Sequence, residues 1–541
     1  MIIFKNALNI LSISLIFAFF LLFPPENKPF SLILIPLLLI FFFILKKEIL
    51  IPKFSEAFLF FSLIIFSFFF NNKTFFSLEF FSYFLIIIST YILLINSEKK
   101  TLLIVFEFTA ISIIIYGFLQ KFFLFDIAIK EIISNQNLNE FFKNAALIRL
   151  QSGRVFSTFS LPTALAAFLT VTILISLGRL FSQSTRKLSK FFPIIIILLS
   201  FPLIMFTQSF GAAFELGTGL FAFYILSEKR KNKNLILFLF IVIVISFIIL
   251  IERFSSFHEE SPLFLRLSNW RVAAQIFLSS PFFGIGLGNY GIGSSLFTLG
   301  GESFSKYAHN VFLHIFAETG ALGGILFIGI IFSWLFSKIK NSNNSSKDEL
   351  FYLSTFFAFL AYNLIDIGIF FPGMGFLGAF LLSILNKNQN YVQLNKLSRK
   401  IFILLVILIS VFSIWINVSN YLNSLAEERL MNRNNDSALS ILNASNSINP
   451  YNPKTFNKIA EIMFQKGDLE NSYKYLKRAI DLDPNSFSLY RNFFNLSLQR
   501  KELIEAYLYI YKAERLFPSR EEFKKERLNL QKFLIEEIKK K

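Results

Sequence analysis

Residues 30–45 read FSLILIPLLLIFFFIL and run straight into Lys46 and Lys47. Apart from Ser31 and Pro36, every side chain in this run is a large aliphatic or a phenylalanine, so a helix built from it has no face to turn toward water. Such a segment is buried either in a large protein core or in lipid. The flanking lysines favour lipid, because they mark where an apolar rod emerges among charged headgroups.

Segments of this kind recur on both sides of it. About thirteen occur before residue 420, near 7–23, 30–45, 56–70, 77–95, 101–125, 156–178, 191–208, 210–227, 234–251, 311–337, 349–370, 372–386 and 400–418. A spanning helix needs roughly 20 mostly apolar residues, so the expected fold is all-α, a polytopic transmembrane bundle of about 12–13 spans. The composition agrees, since 54% hydrophobic residues and a mean hydropathy of +0.59 exceed what the core of a water-soluble chain requires. The first stretch follows Met1 to Lys5 without a small-residue cleavage site and is expected to be a retained helix rather than a signal peptide.

The net charge of +18 raises the question of nucleic acid, but the positions of the charges answer it differently. The even connections carry Lys46, Lys47 and Lys53; Lys99 and Lys100; Arg179, Arg186, Lys187 and Lys190; Lys229, Arg230, Lys231 and Lys233; Lys338, Lys340 and Lys347; Lys387, Lys396, Arg399 and Lys400. The short odd ones hold only Lys28 and Lys73. By the positive-inside rule the N-terminus and the even loops are cytoplasmic, and no nucleic-acid partner is expected. Two long odd connections, 126–155 and 252–310, then lie outside the cytoplasm, as does everything after the last span. The chain has no cysteine and three histidines. Thiol catalysis, disulfides, cysteine-ligated zinc and a multi-histidine metal site are thereby set aside, and no cofactor or metal is expected.

The apolar density falls near residue 420 and divides the chain into a membrane domain, 1–420, and a helical domain, 421–541. In the latter, Pro450, Pro484 and Pro518 repeat with a period of 34, as do Ala438, Ser472 and Ala506, and Ser445, Ala479 and Ala513. Small residues at two facing positions let paired helices approach, and a proline stops the second of each pair. The pattern, with Gly467 at a turn, resembles tetratricopeptide repeats, which implies a small α-solenoid and a protein or peptide partner in its groove.

Charged and imidazole groups gather in the two long outer loops. Residues 149–163 read RLQSGRVFSTFSLPT and contain Arg149 and Arg154; residues 262–293 read PLFLRLSNWRVAAQIFLSSPFFGIGLGNYGIG, with Arg266 and Trp270 one helical turn apart and Arg271 next to them. The stretch 305–324, SKYAHNVFLHIFAETGALGG, sets His309 and Asn310 at the start of a membrane helix. One arginine at a membrane boundary ordinarily anchors by snorkelling, whereas Arg154, Arg266 and His309 on one face point to function. His314 reads as a packing residue and His258, in an acidic stretch, as incidental. Gly286, Gly288 and Gly291 match G-x-G-x-x-G but follow no strand, so they are expected to form a tight turn and not a dinucleotide site.

The pattern R-x-x-x-W-R-x-A, then P-x-x-G-x-G-x-G-N-Y, then H-N-x-x-L-x-x-x-x-E-x-G, from Arg266 to Gly320, resembles the signature of the O-antigen ligase and polymerase superfamily. The resemblance implies a metal-independent inverting glycosyltransferase of the membrane-embedded type. Such an enzyme takes a glycan from a polyprenyl (undecaprenyl) pyrophosphate carrier at the periplasmic face of the bacterial inner membrane and transfers it to lipid A-core, a growing glycan or a protein hydroxyl. It implies that His309 is catalytic, that Arg266 and Arg154 bind the donor pyrophosphate with Arg271 and Arg149 beside them, and that Asn310, Trp270 and Glu318 support the site. The family commonly has Thr-x-Ser-Arg-Gly where this chain has Thr207, Gln208, Ser209, Phe210 and Gly211, and either Arg149 or Arg271 is a candidate to replace the missing cation. The repeats favour a ligase acting on lipid A-core or protein over a polymerase. In another class, a transporter or flippase of lipid-linked or anionic substrates would use Asp366 and Glu215 as ionisable groups near the bilayer midplane.

Overall fold

The computed structural model describes residues 2–52, 75–135, 140–182, 190–227, 262–298, 305–342, 345–386, 391–432, 434–484, 486–516 and 521–540. These residues are mostly helical. Among the described residues, five helical stretches are long and apolar enough to cross a membrane: Ser77–Ile95, Lys99–Ser134, Pro162–Phe181, Val311–Lys340 and Lys396–Met431. Shorter apolar helices lie at Leu8–Leu22, Ser31–Leu45, Phe191–Thr207, Gly211–Leu226 and Pro372–Leu385. The expected spans near 56–70 and 234–251 fall outside the described residues.

Among the described residues, buried apolar side chains from many helices hold the bundle. Phe17, Phe20, Phe106, Phe168, Phe376 and Phe380 form one continuous buried cluster, with Phe20 stacked on Phe376 and Phe106 on Phe380. Outward from it, Leu198, Met205, Ile325, Phe332, Phe336, Leu404 and Leu408 are exposed. In water such a surface would drive aggregation; in hydrocarbon it is the solvent-matched face of the bundle.

At one end of the bundle the basic residues meet the ends of helices. Lys46 Nζ donates to the Asn96 carbonyl at 2.7 Å, Arg399 Nε to the Lys46 carbonyl at 3.1 Å, and Lys338 Nζ to the Leu385 carbonyl at 2.7 Å. A two-stranded antiparallel ribbon, Leu50–Pro52 with Tyr391–Gln393, closes the same end. Since successive helices alternate in direction, Arg154, His309 and Asp366 lie at the opposite end.

Three elements depart from the sequence reading. The loop 126–155 is largely helical, with Phe125–Ser134 continuing the preceding span and Glu140–Gln151 following. The stretch 349–370 is not one helix: Lys347–Ile365 ends, Asp366 is extended, and a 3-10 turn at Gly368–Phe370 precedes Pro372–Leu385. Asp366 breaks the helix because its carboxylate accepts a neighbouring backbone N–H, that of Ile367, in place of helix bonding. The Val311–Lys340 helix is interrupted at Gly320, whose φ is +67°.

Lys396–Met431 runs without a break across residue 420 and carries the helices that follow, Asn435–Ile448, Pro453–Gln465, Leu469–Leu482, Phe487–Gln499, Leu503–Leu516 and Glu521–Lys540. Each packs on its neighbours in sequence. Ala438, Ser445, Ser472, Ala479, Ala506 and Ala513 are all buried at these crossings, and Gly467 turns the chain at φ +79°. Pro518 lies outside the described residues. Glu79 ties the two parts together, accepting from Lys454 Nζ at 3.0 Å and from Asn420 Nδ2 at 2.6 Å.

Candidate active site

His309 stands two residues before the Val311–Lys340 helix, with Asn310 as the N-cap, its side-chain oxygen accepting from the Leu313 N–H at 3.0 Å. Its own φ is +51°, a left-handed conformation that a β-substituted residue adopts only when its surroundings enforce it. Trp270 supplies part of that enforcement, its indole N–H donating to the His309 carbonyl at 3.3 Å.

The imidazole meets a carboxylate from just past the end of the Lys347–Ile365 helix. His309 Nδ1 is 3.1 Å from Asp366 Oδ1, and Arg266 Nη2 is 3.8 Å from Asp366 Oδ2. The Asp366 side chain is 3% exposed, against 31% for His309 and 28% for Arg266, so a buried anion lies beneath two open nitrogen groups. His309, Arg266 and the Ile367 N–H all face the Asp366 carboxylate. Glu215, itself buried, lies within electrostatic reach of Asp366 and Arg266.

The glycines of the motif are needed by a backbone crossing. Segment 281–286 passes the break at Gly320, with Ile285 N–H donating to Ala317 O at 3.2 Å, Gly286 N–H to Glu318 O at 2.9 Å and Ala321 N–H to Pro281 O at 2.7 Å. The groups freed by the break are therefore satisfied. A Cβ on Gly284 would stand 2.3 Å from the Glu318 carbonyl, and one on Gly320 2.3 Å from that of Phe282. Gly286 and Gly288 also have positive φ and sit in a turn with no preceding strand.

The remaining site residues separate into other groups. Arg154 Nε donates to the Thr207 carbonyl at 3.0 Å, at the start of the segment 207–211 that contains Phe210. Its loop is held by Gln120, which sits in a π-turn and accepts from the Phe156 and Ser157 N–H groups at 3.0 and 2.8 Å. Arg149 donates to the Ser160 carbonyl at 2.7 Å and lies over the Phe156 ring. Arg271 donates to Gln275 on its own helix at 3.3 Å. Glu318 is buried and pairs with His314 at 3.2 Å while accepting from the Tyr290 N–H at 2.9 Å. The structure thus brings together His309, Arg266 and Trp270, and adds Asp366, which the sequence reading assigns only to a transporter.

Residues 195–328 match a family described as O-Antigen ligase. That stretch contains Arg266, Trp270, the glycine turn, His309, Glu318 and Gly320; Arg154 and Asp366 lie outside it. No curated protein matches the chain. The match and the apolar helices support a ligase- or polymerase-type membrane enzyme with glycosyl-transfer activity.

Proposed function

We propose that the chain transfers a glycan from a polyprenyl pyrophosphate carrier to an acceptor hydroxyl at the outer face of the bacterial inner membrane. The observation that carries this reading is the His309–Asp366–Arg266 cluster, an imidazole oriented by a buried carboxylate with a guanidinium alongside.

With Asp366 ionised, the Nδ1–H of His309 donates to it and Nε2 keeps its lone pair. Nε2 then takes the proton from the acceptor hydroxyl as the oxygen attacks the anomeric carbon, and the glycosyl–phosphate bond breaks with its electron pair going to the carrier pyrophosphate. Charge grows on that leaving oxygen. Guanidinium forks stabilise it because they match phosphate oxygens and stay cationic when partly desolvated. Arg266, which shares Asp366 with His309, is one such group, and Arg154 serves the carrier's second phosphate. Attack from the side opposite the leaving group inverts the anomeric centre, and fixed guanidinium charge does the work a metal does in nucleotide-sugar enzymes.

The basic helix ends face the cytoplasm in this reading, and the C-terminal helices, a tetratricopeptide-like solenoid, stand in the periplasm. Lipid A-core or a protein hydroxyl is the acceptor of a ligase, and a growing glycan that of a polymerase. Deletion of the gene, followed by electrophoresis of surface glycans, tests the proposal. Loss of long chains, restored by the wild-type gene but not by His309→Ala or Arg266→Ala, is expected; restoration by both variants would refute it.

A further inference from the structure

Between the outer ends of the membrane helices and the C-terminal helices lies a cleft of about 940 Å³. Ligand pockets commonly measure roughly 300–1,000 Å³, so this one has room for a ligand of several units. His309 does not line it, but Tyr307 and Phe370 do, two residues from His309 and four from Asp366. The segments that carry the imidazole and its carboxylate therefore form one wall of the cleft.

The chemistry of the walls selects against a polyanion. Lys306, Lys454 and Lys458 are matched by Glu26, Glu79, Glu427 and Asp483, so the cleft has no surplus of positive charge to attract phosphate. It also holds unpaired acceptors. Asn423 Oδ1, Glu318 Oε2 and Glu26 Oε2 are buried with no hydrogen-bond partner among the described residues, and all three residues line the cleft. Asn423 and Glu318 are 3% and 1% exposed. A buried acceptor left unpaired is destabilising, and three around one cavity call for a ligand that brings donors.

The same ligand must also accept hydrogen bonds, since lysine and asparagine N–H groups share the walls, and must offer apolar surface to Phe80, Tyr307 and Phe370. A hydroxyl both donates and accepts, and a pyranose ring presents C–H faces suited to stacking on aromatics. We propose that this cleft is the acceptor subsite and binds an uncharged glycan chain, whose terminal hydroxyl reaches His309 past Tyr307. The proposal rests on the transfer reading above and selects a glycan-bearing acceptor over a bare protein hydroxyl. Burial pushes the Glu26 carboxyl up to about 7, which lets it donate as well as accept near neutrality.

The test uses the full chain in nanodiscs. The binding probes are oligosaccharides released by mild acid from the cell's own surface glycans, with serine- and threonine-rich peptides as the contrast. Ser424→Trp and Ser488→Trp fill the cleft from exposed positions, and Ile504→Trp, exposed and away from it, controls for folding. Saturable oligosaccharide binding that weakens at least about tenfold in both cleft variants and not in the control is expected, with the acceptor KM rising and the donor KM unchanged. Peptide binding in place of oligosaccharide binding, no binding of either probe, or oligosaccharide binding that survives both substitutions overturns the proposal. If the oligosaccharide binds in the cleft but no carrier-linked glycan is consumed, the transfer reading fails and the glycan site stands.

Discussion

His309 Nδ1 faces Asp366 Oδ1 across 3.1 Å, although 57 residues separate them in the chain. A catalytic base is useful only in one tautomer, and a buried carboxylate under Nδ1 selects it.

Asp366→Asn keeps the shape of the site and removes that selection. Turnover should fall on the order of 10³-fold or more, with donor affinity nearly retained. Single-turnover transfer beside equilibrium donor binding checks this; loss of binding with unchanged chemistry would assign Asp366 to the donor pocket instead.

Arg266→Ala should raise the donor's dissociation constant about 10- to 100-fold, the worth of a charge-assisted contact of roughly 1.5–3 kcal/mol. Arg266→Lys should restore little of it, because an ammonium cannot present two parallel N–H groups to phosphate. Titration with carrier-linked glycan measures both.

Gly320→Ala should cost about 3 kcal/mol or more, combining a left-handed backbone with a Cβ forced against the Phe282 carbonyl. Gly467→Ala, also at positive φ but with open space around it, should cost only about 1 kcal/mol. Thermal unfolding of the two variants in one detergent separates clash from strain.

The raised pKa of Glu26 makes a signed prediction. A carboxyl whose folded pKa lies above its unfolded value adds stability at pH below the unfolded pKa, 4.5, and loses it as pH rises through about 7. Glu26→Gln should therefore raise the melting temperature at pH 8 and leave it nearly unchanged at pH 5.

The bundle is legible in the sequence because lipid imposes a local rule: each span must be apolar by itself, so stretches such as 30–45 declare themselves. His309, Arg266 and Trp270 are legible through their spacing. Asp366 is not, because it reaches the site through the antiparallel return of Lys347–Ile365, and a carboxylate inside an apolar stretch reads equally well as an ion-pathway group. The pairing of Gly284 with Gly320 is hidden for the same reason, since only the crossing of two backbones shows why neither can carry a side chain. Arg149 and Arg271, the candidates to replace the cation at Phe210, donate to Ser160 and Gln275, and Arg154 reaches the start of that motif at Thr207.

Orientation is open to direct labelling because the chain has no cysteine. Leu278→Cys and Ile504→Cys should react with an impermeant maleimide in spheroplasts, and Ser345→Cys only after lysis. The reverse pattern would put the cluster in the wrong compartment.

The most direct test of the central claim is transfer by the purified protein in nanodiscs supplied with carrier-linked glycan and acceptor. The wild type should form the joined product and free carrier pyrophosphate, while His309→Ala should bind the donor with unchanged affinity and form no product. A His309→Ala protein that transfers at the wild-type rate would contradict the account.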